Sequence, residues 1–397
     1  MKKRFSAGTV LALMLLVATL TYLVSVYLVR EDYNRMLERS KYESDAAAKY
    51  LEAKELIEGN FIGEINPDRL VDGAIDGMVT ATGDRWSYYL NAEDYKRQQE
   101  AKESFVGIGV SVARYGDDLI RITQVFDGSP AKEAGIEPMD MVFRVDGALV
   151  EELGYETAVQ GVRGDEYTFV ELGLRRRDGS EYTARVQRRK VHVMNLISEL
   201  VNGSVGYVRV NAFSARVDEE FAVAVDNLVA AGAKALIFDM RFNPGGELRA
   251  LKAMLDKILP KDAVIIITRT KEGVEEAPRS DEIRVELPMA VLVNADSYSA
   301  AEYFAACLQE YGLAEVVGEK TVGKGYAQYP LRLSDESYIY LSMETYYTPN
   351  GVSLAGVGIT PDHEVVLDDV MGFYNPDHEG DAQFMKALNV MTAKIEG

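Results

Sequence analysis

The spacing of apolar positions changes several times along the chain, and each change predicts a different kind of element. The first block is an uncharged stretch of 23 residues from Ala7 to Val29, preceded by basic residues at positions 2–4. As a helix it is about 35 Å long, enough to cross a bilayer. A cleaved signal peptide would have a shorter apolar core and a small-residue cleavage site, so we interpret the stretch as an uncleaved anchor. The basic flank predicts a single-pass protein of the cell membrane, with residues 31–397 outside the cytoplasm.

The next block is helical. Residues 31–60 lack proline and are rich in helix formers, which predicts one long helix and a candidate dimer contact. A second helix is predicted from Pro67, with Asn66 as its cap. A third short helix follows before residue 100.

From about Phe105 the period becomes two, which is typical of half-buried strands. The stretch "VGIGVSVARYGDDLIRITQVFDGSP" predicts two strands around a turn. A short helix closed by Gly135 follows, and then "YTFVELGLRRRDGSEYTARVQRRK" predicts a hairpin turning at Asp178-Gly179. This block is therefore predicted to be mainly β.

After Val191 near-continuous apolar strands alternate with helical stretches, which predicts an α/β domain. In such domains the chemistry usually lies on loops at the carboxyl ends of strands. Two loops have that position, "RFNPGGE" after "ALIFDM" and "ADSYS" after "MAVLVN". The predicted division is 1–30 for the basic flank and anchor, 31–100 helical, 101–190 mainly β, 191–370 α/β, and 371–397 for a C-terminal tail or helix.

Composition narrows the classes of function. The net charge of −20, with 63 acidic against 43 basic residues, argues against nucleic acid as a partner. Cys307 is the only cysteine and lies in the apolar pattern "YFAACLQ", so we expect a core residue and no internal disulfide. We expect no metal or other cofactor.

Ser299 lies between a buried strand and an alanine-rich helix, where helix N–H groups can stabilise a developing negative charge. The same residues, Ser299 to Glu302, also form the pattern S-x-x-E, in which the serine only caps the helix. A nucleophilic serine needs a base, and the three histidines, His192, His363 and His378, carry no triad signature.

Lysine can act as the base when burial keeps it neutral, which requires lowering its pKa by about three units, or about 4 kcal/mol. Lys324 in "GEKTVGKGYAQ" follows an apolar strand and is flanked by glycines. The stretch also has the spacing of a phosphate-binding loop, but Gly325 stands where that loop needs Ser or Thr.

Together, "VLVNADSYSAAE" and "VVGEKTVGKGYAQ" closely resemble the carboxyl-terminal processing proteases, serine peptidases with a Ser-Lys dyad. The resemblance implies Ser299 as nucleophile, Lys324, 25 positions later, as base, and Gln328 as the residue that orients the lysine. It also implies that "DMRFNPGGEL" supplies an oxyanion donor at Gly245 or Gly246, paired with the Ala300 amide. The implied fold is an α/β protease core, a mixed sheet with flanking helices, with an inserted mainly-β PDZ domain and an N-terminal transmembrane helix.

Within residues 105–190, "FVGIGV" resembles the carboxylate-binding loop of a PDZ domain, and "GSPAKEAGI" resembles the helix beside its groove. The resemblance implies that Val106, Gly107, Ile108 and Gly109 bind the C-terminus of a substrate tail. Arg163 would couple the PDZ domain to the protease. Two positions depart from the family pattern: Met139 replaces a turn glycine, and Tyr298 replaces a small residue before Ser299.

The resemblance thus implies an anchored extracytoplasmic serine endopeptidase whose partners are proteins or peptides with apolar C-termini. A homodimer and an activating partner protein stay open. Two other classes are a PDZ scaffold that binds without cutting and a nucleotide-binding protein.

Overall fold

The computed structural model describes residues 7–115, 119–126, 128–192, 195–281, 285–367 and 370–397. The chain divides into two compact units, one ending at Met78 and the other running from Val79 to Gly397. The basic flank at positions 2–4 lies outside the described residues.

The N-terminal unit contains helix α1 (Ala7–Asn60) and most of helix α2 (Pro67–Thr80). Helix α1 includes an 18-residue window of mean hydropathy 1.9, long and apolar enough to cross a membrane. Further along, Arg39–Glu43 and Lys54–Glu58 pair one turn apart, which stabilises a helix in water. The Asp68 amide donates to Asn66 Oδ1 at 2.9 Å, which confirms the predicted cap of α2.

The second unit begins with short elements and continues into a mainly-β region, as predicted. Its five-stranded path has the order β3-β4-β5-β7-β8, with β6 paired to β5, and β2 pairs with β9 apart from it. The Asp178-Gly179 turn joins β7 to β8, as predicted. The elements are β1 (Tyr88–Leu90), α3 (Ala92–Glu103), β2 (Ser104–Gly107), β3 (Val110–Tyr115), β4 (Leu119–Val125), α4 (Pro130–Glu133), β5 (Met141–Val145), β6 (Ala148–Leu149), α5 (Val150–Leu153), α6 (Tyr155–Val162), β7 (Phe169–Arg175), β8 (Glu181–Gln187) and β9 (Arg189–His192).

The α/β region follows. A six-stranded sheet has the order β10-β11-β12-β15-β16-β19, with only its β10–β11 pair antiparallel. The elements are β10 (Leu196–Val201), β11 (Val205–Val210), α7 (Val217–Ala230), β12 (Ala235–Asp239), α8 (Leu248–Asp256), β13 (Ile267–Thr270), β14 (Glu275–Glu276), β15 (Met289–Val293), α9 (Ala300–Glu310), β16 (Ala314–Gly318), β17 (Tyr326–Arg332), β18 (Tyr338–Tyr347), β19 (His363–Glu364), α10 (Val370–Tyr374) and α11 (Ala382–Glu396).

Both faces of the six-stranded sheet are covered, which explains its near-continuous apolar strands. Helices α7, α8 and α9 pack on one face around Phe221, Phe238 and Phe304. Helix α11 packs on the other face through Phe384 and its neighbours. Cys307 is fully buried in α9, as expected of a core residue.

A second, antiparallel sheet was not anticipated from the pattern. Strand β18 lies at its centre and pairs with β17, β1 and β13, and β14 extends the sheet beyond β13. The predicted fold class, an α/β core with a mixed sheet and a mainly-β insertion, is confirmed.

Candidate active site

Three loops of the six-stranded sheet meet at one edge. Because β12, β15 and β16 are parallel neighbours, the loops that follow their carboxyl ends lie side by side. We call them the glycine loop (residues 240–247), the serine loop (294–299) and the lysine loop (319–325). The expectation that the chemistry-bearing loops share a sheet edge is met by this topology.

The backbone of Ser299 has an unusual conformation. Its φ of 62° and ψ of −123° place a non-glycine residue at positive φ, which costs about 1–3 kcal/mol. The residue stands at the sharp passage from the serine loop into α9 and caps that helix. A serine on a strained strand-to-helix turn is typical of hydrolase nucleophiles, since the turn exposes the hydroxyl.

The glycine loop is pressed against this turn. A Cβ added at Gly245 would lie 2.7 Å from Ser299 Cβ and 2.9 Å from the Tyr298 carbonyl oxygen, so only glycine fits. Two further bonds hold the loops together: Ser297 Oγ donates to the Met240 carbonyl at 2.8 Å, and the Phe242 amide donates to Asn294 at 2.9 Å.

Glu302 joins the serine loop to the lysine loop. Its side chain is fully buried and accepts the Ser299 amide at 2.9 Å, which is the glutamate half of the predicted capping box. The same carboxylate accepts the Gly323 amide at 2.6 Å, the Lys324 amide at 2.9 Å and the Thr321 hydroxyl. A buried carboxylate is stable only when paired or hydrogen-bonded, so these four donors lock both loops around it.

The glycines of the lysine loop serve close packing. A Cβ at Gly323 would lie 2.8 Å from the Gly358 nitrogen, and one at Gly325 would lie 2.6 Å from the Ala355 nitrogen. The Gly323 and Lys324 amides donate to the Glu302 carboxylate of the protein itself, whereas a phosphate-binding loop directs such amides to the phosphates of its ligand. The geometry therefore opposes the nucleotide-binding alternative.

The Lys324 amine lies among aromatic rings. Its Nζ is 4.7 Å from the centre of the Trp86 ring and 5.9 Å from that of Tyr298. Burial lowers the pKa of Lys324 below its usual 10.5, against the opposing effect of the Asp84 and Glu302 carboxylates. The direction is the one that a lysine base requires.

Tyr346 on β18 touches both candidate catalytic residues. Its hydroxyl donates to the Lys324 carbonyl oxygen and also hydrogen-bonds with the Ser299 side chain. The Tyr346 side chain is almost fully buried, and burial raises the pKa of its hydroxyl, which therefore stays protonated.

Gln328 lies on β17 and belongs to a neighbouring polar network. Its Nε2 donates to Ser342 Oγ at 2.9 Å and to the Tyr326 carbonyl at 3.2 Å. Ser342 in turn bonds with Asp84 and Ser87. These hydrogen bonds of Gln328 lead to β18 and to residues 84–87, which we call the Trp86 loop, instead of to the Lys324 amine.

The two candidate oxyanion glycines differ. The Gly245 amide already donates to Asn243 Oδ1 at 2.8 Å. Gly246 has a φ of 143°, and a Cβ there would lie 2.2 Å from the Phe213 carbonyl oxygen. Ala300 is buried at the first position of α9, with its nitrogen 2.8 Å from the place a Gly245 Cβ would occupy. Glycine loop and helix start are thus adjacent.

A buried ion cluster supports the glycine loop from behind. Arg241 Nη2 lies 2.6 Å from Asp239 and 2.7 Å from Asp381, and all three side chains are fully buried. Burial disfavours the charge of Asp239, but Arg241 holds the pKa of Asp239 below its usual range. Because Asp381 also caps α11, the C-terminal helix is tied to the site.

The histidines lie elsewhere. His363 Nε2 is 3.5 Å from Glu315 on β16, and His378 pairs with Glu199 at 3.0 Å and stacks on Phe384. The side chain of His192 lies outside the described residues.

The mainly-β region contains an apolar cavity of about 370 Å³. Gly107, Ile108 and Gly109 line it, whereas Val106 pairs with Lys190 on β9. Arg163 also lines the cavity. The cavity runs between β3 and α6, and its wall also includes the following residues: Phe105, Val110, Ser111, Val112, Ile120, Ile122, Phe126, Val142, Val159, Val162 and Leu172.

The helix beside this cavity is α6, so the assignment of "GSPAKEAGI" to that place is wrong. Helix α4 buries Pro130 and Ala131, and the Ala131 amide donates to the Ile108 carbonyl at 2.8 Å. Helix α4 therefore packs behind residues 107–109, the loop that lines the cavity. Met139, the departure from the turn glycine, has a φ of 73°, so the backbone keeps a conformation that glycine favours.

Sequence reasoning missed four side chains around the site. Trp86, Ser342 and Tyr346 gave no recognisable signal, because no motif surrounds them. Glu302 was seen only as a capping residue, and its role in the lysine loop depends on a contact across the sheet edge.

Family models match most of the chain. Peptidase family S41 matches residues 204–365, the PDZ domain matches 97–170, and the N-terminal domain of the activating protease CtpB matches 14–94. The S41 match contains all three loops of the site, and the PDZ match contains most of the cavity lining.

Curated relatives agree. The chain is 32% identical over 323 residues to the carboxy-terminal processing protease CtpA of Bacillus subtilis (strain 168), covering 81% of this chain and 69% of that protein. It is 32% identical over 311 residues to a probable CtpA-like serine protease of Staphylococcus aureus (strain MRSA252), covering 77% of this chain and 62% of that protein.

Solved structures share the fold. The photosystem II D1 C-terminal processing protease aligns with a TM-score of 0.51 at 21% identity, covering 84% of this chain and 96% of that one. A putative S41 protease from Bacteroides fragilis NCTC 9343 aligns at 0.63 and 18% identity, covering 80% and 90%. The chain therefore belongs to the S41 family of serine peptidases, among the carboxy-terminal processing proteases that carry a PDZ domain.

Proposed function

We propose that this chain is a membrane-anchored extracytoplasmic endopeptidase that cuts peptide bonds with a Ser299–Lys324 dyad. One observation carries the proposal: the buried Glu302 carboxylate holds the backbone of Ser299 and the backbone of Lys324 at the same time. The strained Ser299 turn and the lowered pKa of Lys324 support the two roles.

In the proposed reaction Ser299 Oγ attacks the carbonyl carbon of the scissile bond while the neutral Lys324 amine takes the hydroxyl proton. The Ala300 amide, with that of Gly245 or Gly246, stabilises the oxyanion of the tetrahedral intermediate. If Gly245 serves, its amide exchanges Asn243 Oδ1 for the oxyanion. Lys324 then gives its proton to the departing amine, and water activated by Lys324 hydrolyses the acyl-enzyme.

Gln328 has a positioning role in this proposal. Its carboxamide belongs to the network of Ser342, Ser87 and Asp84, which lies beside the ring that covers the Lys324 amine. Gln328 therefore acts on the lysine through this network, or by a rotation that brings its side chain to the amine.

The PDZ cavity is proposed to hold the apolar C-terminus of the substrate. Strand β3 ends the five-strand path of its sheet within the described residues, so a substrate tail can add to its edge beside α6. The lining is predominantly apolar, which favours an apolar last side chain. Because Arg163 lines the cavity wall, we propose it as the residue that reports the presence of a bound tail to the protease.

Anchoring rests on helix α1 and the basic flank before it. The proposal also includes an activating partner protein and a homodimer formed through α1. Both come from the sequence alone. Membrane fractionation of the chain with and without residues 1–30 tests the anchor, since the shortened chain should leave the membrane fraction.

The activity is tested with the full chain in detergent micelles and a loosely folded protein substrate that ends in apolar residues. Wild type should cut it, and Ser299→Ala and Lys324→Ala should each lose at least about 10³-fold in rate. A matched substrate ending in two aspartates should be cut more slowly.

Lys320→Ala is the matched control, because Lys320 is an exposed lysine of the same loop. Cutting by Lys324→Ala at the wild-type rate would exclude the dyad. A folded wild type that binds the apolar tail without cutting, even with candidate activators, would favour the PDZ scaffold.

A further inference from the structure

The environment of the Lys324 amine contains two aromatic residues that the Ser-Lys chemistry does not use. Trp86 and Tyr298 stack with ring centres 5.9 Å apart and planes 26° apart. Lys324 Nζ lies over the Trp86 ring at 4.7 Å, within the range at which an ammonium is attracted to an aromatic face. Trp86 is the only tryptophan in the chain.

The Trp86 loop is held firmly in this place. The Trp86 amide donates to Asp84 Oδ1 at 3.1 Å, and Ser87 Oγ donates to Asp84 Oδ2 at 2.6 Å. The Ser342 amide of β18 donates to Ser87 Oγ at 3.1 Å. These bonds fix the backbone of the Trp86 loop to the central strand of the antiparallel sheet, and its indole stacks with Tyr298 beside the lysine loop.

We propose that Trp86 and Tyr298 are positioning residues for Lys324 and form an aromatic slot that holds its ammonium. This inference rests on the proposed function of Lys324 as the base. By favouring the protonated amine, the slot sets the lowest pH at which the base is available. It also gives Tyr298, the bulky residue before the nucleophile, a role in the site.

The charged groups around the amine define what the slot competes with. Asp84 and Glu302 are the carboxylates that act on Lys324, and both favour its charged form. Arg85 stacks on the Trp86 ring with Cζ 4.4 Å from the centre. Asp296 acts on Tyr298 from the serine loop, and the Tyr346 hydroxyl contacts the Lys324 carbonyl.

Asp84 and the two tyrosines titrate away from neutral pH. Burial opposes the ionisation of Asp84, but hydrogen bonds from Ser342 and Ser87 together hold its pKa below the usual value, so it is ionised at neutral pH. Burial raises the pKa of both Tyr298 and Tyr346. In a titration kept between about pH 6 and 9.5 these three groups do not change charge, so a step in indole emission that requires Lys324 reports proton loss from its amine.

The first measurement is the emission of Trp86 in the full chain, in detergent, titrated over that range. Wild type should show a step as the amine loses its proton, and Lys324→Met should lack it, whereas Lys320→Met should keep it. A step that is unchanged in Lys324→Met would overturn the slot, because the indole would then be reporting another group.

The second measurement is the acid limb of the pH–rate profile. Trp86→Leu keeps an apolar cover but removes the ring, and its limb should move to lower pH by about 0.4–1.5 units. Trp86→Phe, with a smaller ring, should lie between. An unmoved limb, or one moved to higher pH, would overturn the proposed effect on the base.

The two readouts separate this inference from the proposed function. Emission does not depend on cleavage, so an emission step that requires Lys324 supports the slot even in a chain that cuts nothing. Cutting by Lys324→Ala at the wild-type rate would remove the base and with it the catalytic consequence of the slot. The emission step would then still decide whether the slot exists.

Discussion

The two sheets of the peptidase region contribute to the same site in different ways. The parallel sheet delivers three loops from the ends of neighbouring strands, and these carry Ser299, Lys324 and the candidate oxyanion glycines. The antiparallel sheet delivers side chains from within its strands: Tyr346 and Ser342 lie on the central strand β18, and Gln328 lies on β17 beside it. It also fixes the Trp86 loop through Ser87, which lies 255 positions before its partner Ser342.

This difference separates two tasks. Contacts of the parallel sheet fix the backbone, because Glu302 binds amides of both the serine and the lysine loop. Contacts of the antiparallel sheet act on the side chains of the two candidate catalytic residues, because Tyr346 bonds with the Ser299 side chain and the Trp86 ring covers the Lys324 amine. Variants of the first kind should disturb folding and activity together, and variants of the second kind mainly activity.

Among variants of the residues that surround Ser299 and Lys324, the largest effect is expected from Glu302→Gln. A carboxamide has one acceptor oxygen and turns an N–H₂ group toward backbone donors, so the loops lose their common acceptor. We expect cleavage to fall by about 100-fold or more and the free energy of unfolding to fall by about 2–4 kcal/mol. Cleavage rates and urea denaturation measure the two losses.

Glu272→Gln serves as control, since Glu272 is exposed in the turn between β13 and β14. If Glu302→Gln kept wild-type activity, the Glu302 carboxylate would not be needed to hold the two loops. The proposed division of tasks between the two sheets would then be wrong at this residue.

Tyr346→Phe should have a smaller and different effect. It removes the hydroxyl that donates to the Lys324 carbonyl and bonds with Ser299 but keeps the ring against Tyr303. We expect a loss of about 10-fold in kcat/KM with about 1 kcal/mol of stability. Tyr338→Phe, on the same strand but stacked on Tyr95, should lose stability without that loss of activity.

Ser342→Ala should give a loss of only a few-fold. The change removes the acceptor of Gln328 Nε2 and one of the hydrogen bonds to Asp84. Ser87 Oγ still donates to Asp84 at 2.6 Å. The pH–rate profile of Ser342→Ala is compared with the profiles of Gln328→Ala and of the double variant. If the two residues act through one network, the effects of the single variants should not add in the double variant. Additive effects would separate them.

The last expected effect concerns stability and pH. Because the pKa of Lys324 is lowered by burial, the folded chain binds fewer protons than the unfolded chain between that pKa and 10.5. Stability from this group therefore rises with pH through that window. Lys324→Met should be more stable than wild type at pH 7, and the difference should shrink toward pH 10.5. Urea denaturation at several pH values measures it, and a constant difference would contradict the lowered pKa.

Local sequence patterns predicted much of the secondary structure of this protein. The period of apolar residues was sufficient for the strands of both main regions, for the cap of α2 and for the Asp178-Gly179 turn. It was insufficient for the antiparallel sheet, whose short strands come from distant parts of the chain. It was also insufficient for the helix beside the PDZ cavity, because α4 and α6 are both short and only packing decides which one faces β3.

The sequence by itself, through its resemblance to a known family, predicted that a turn serine acts with a loop lysine, and the parallel strands β15 and β16 place the two loops side by side. Only the tertiary structure decided what surrounds them. The Glu302 carboxylate joins the start of α9 to a lysine loop 22 positions later, and the Tyr346 hydroxyl and the Trp86 ring reach the candidate lysine from parts of the chain that are far apart in sequence. The physical reason is that burial and hydrogen bonding depend on contacts through space, which no local periodicity encodes.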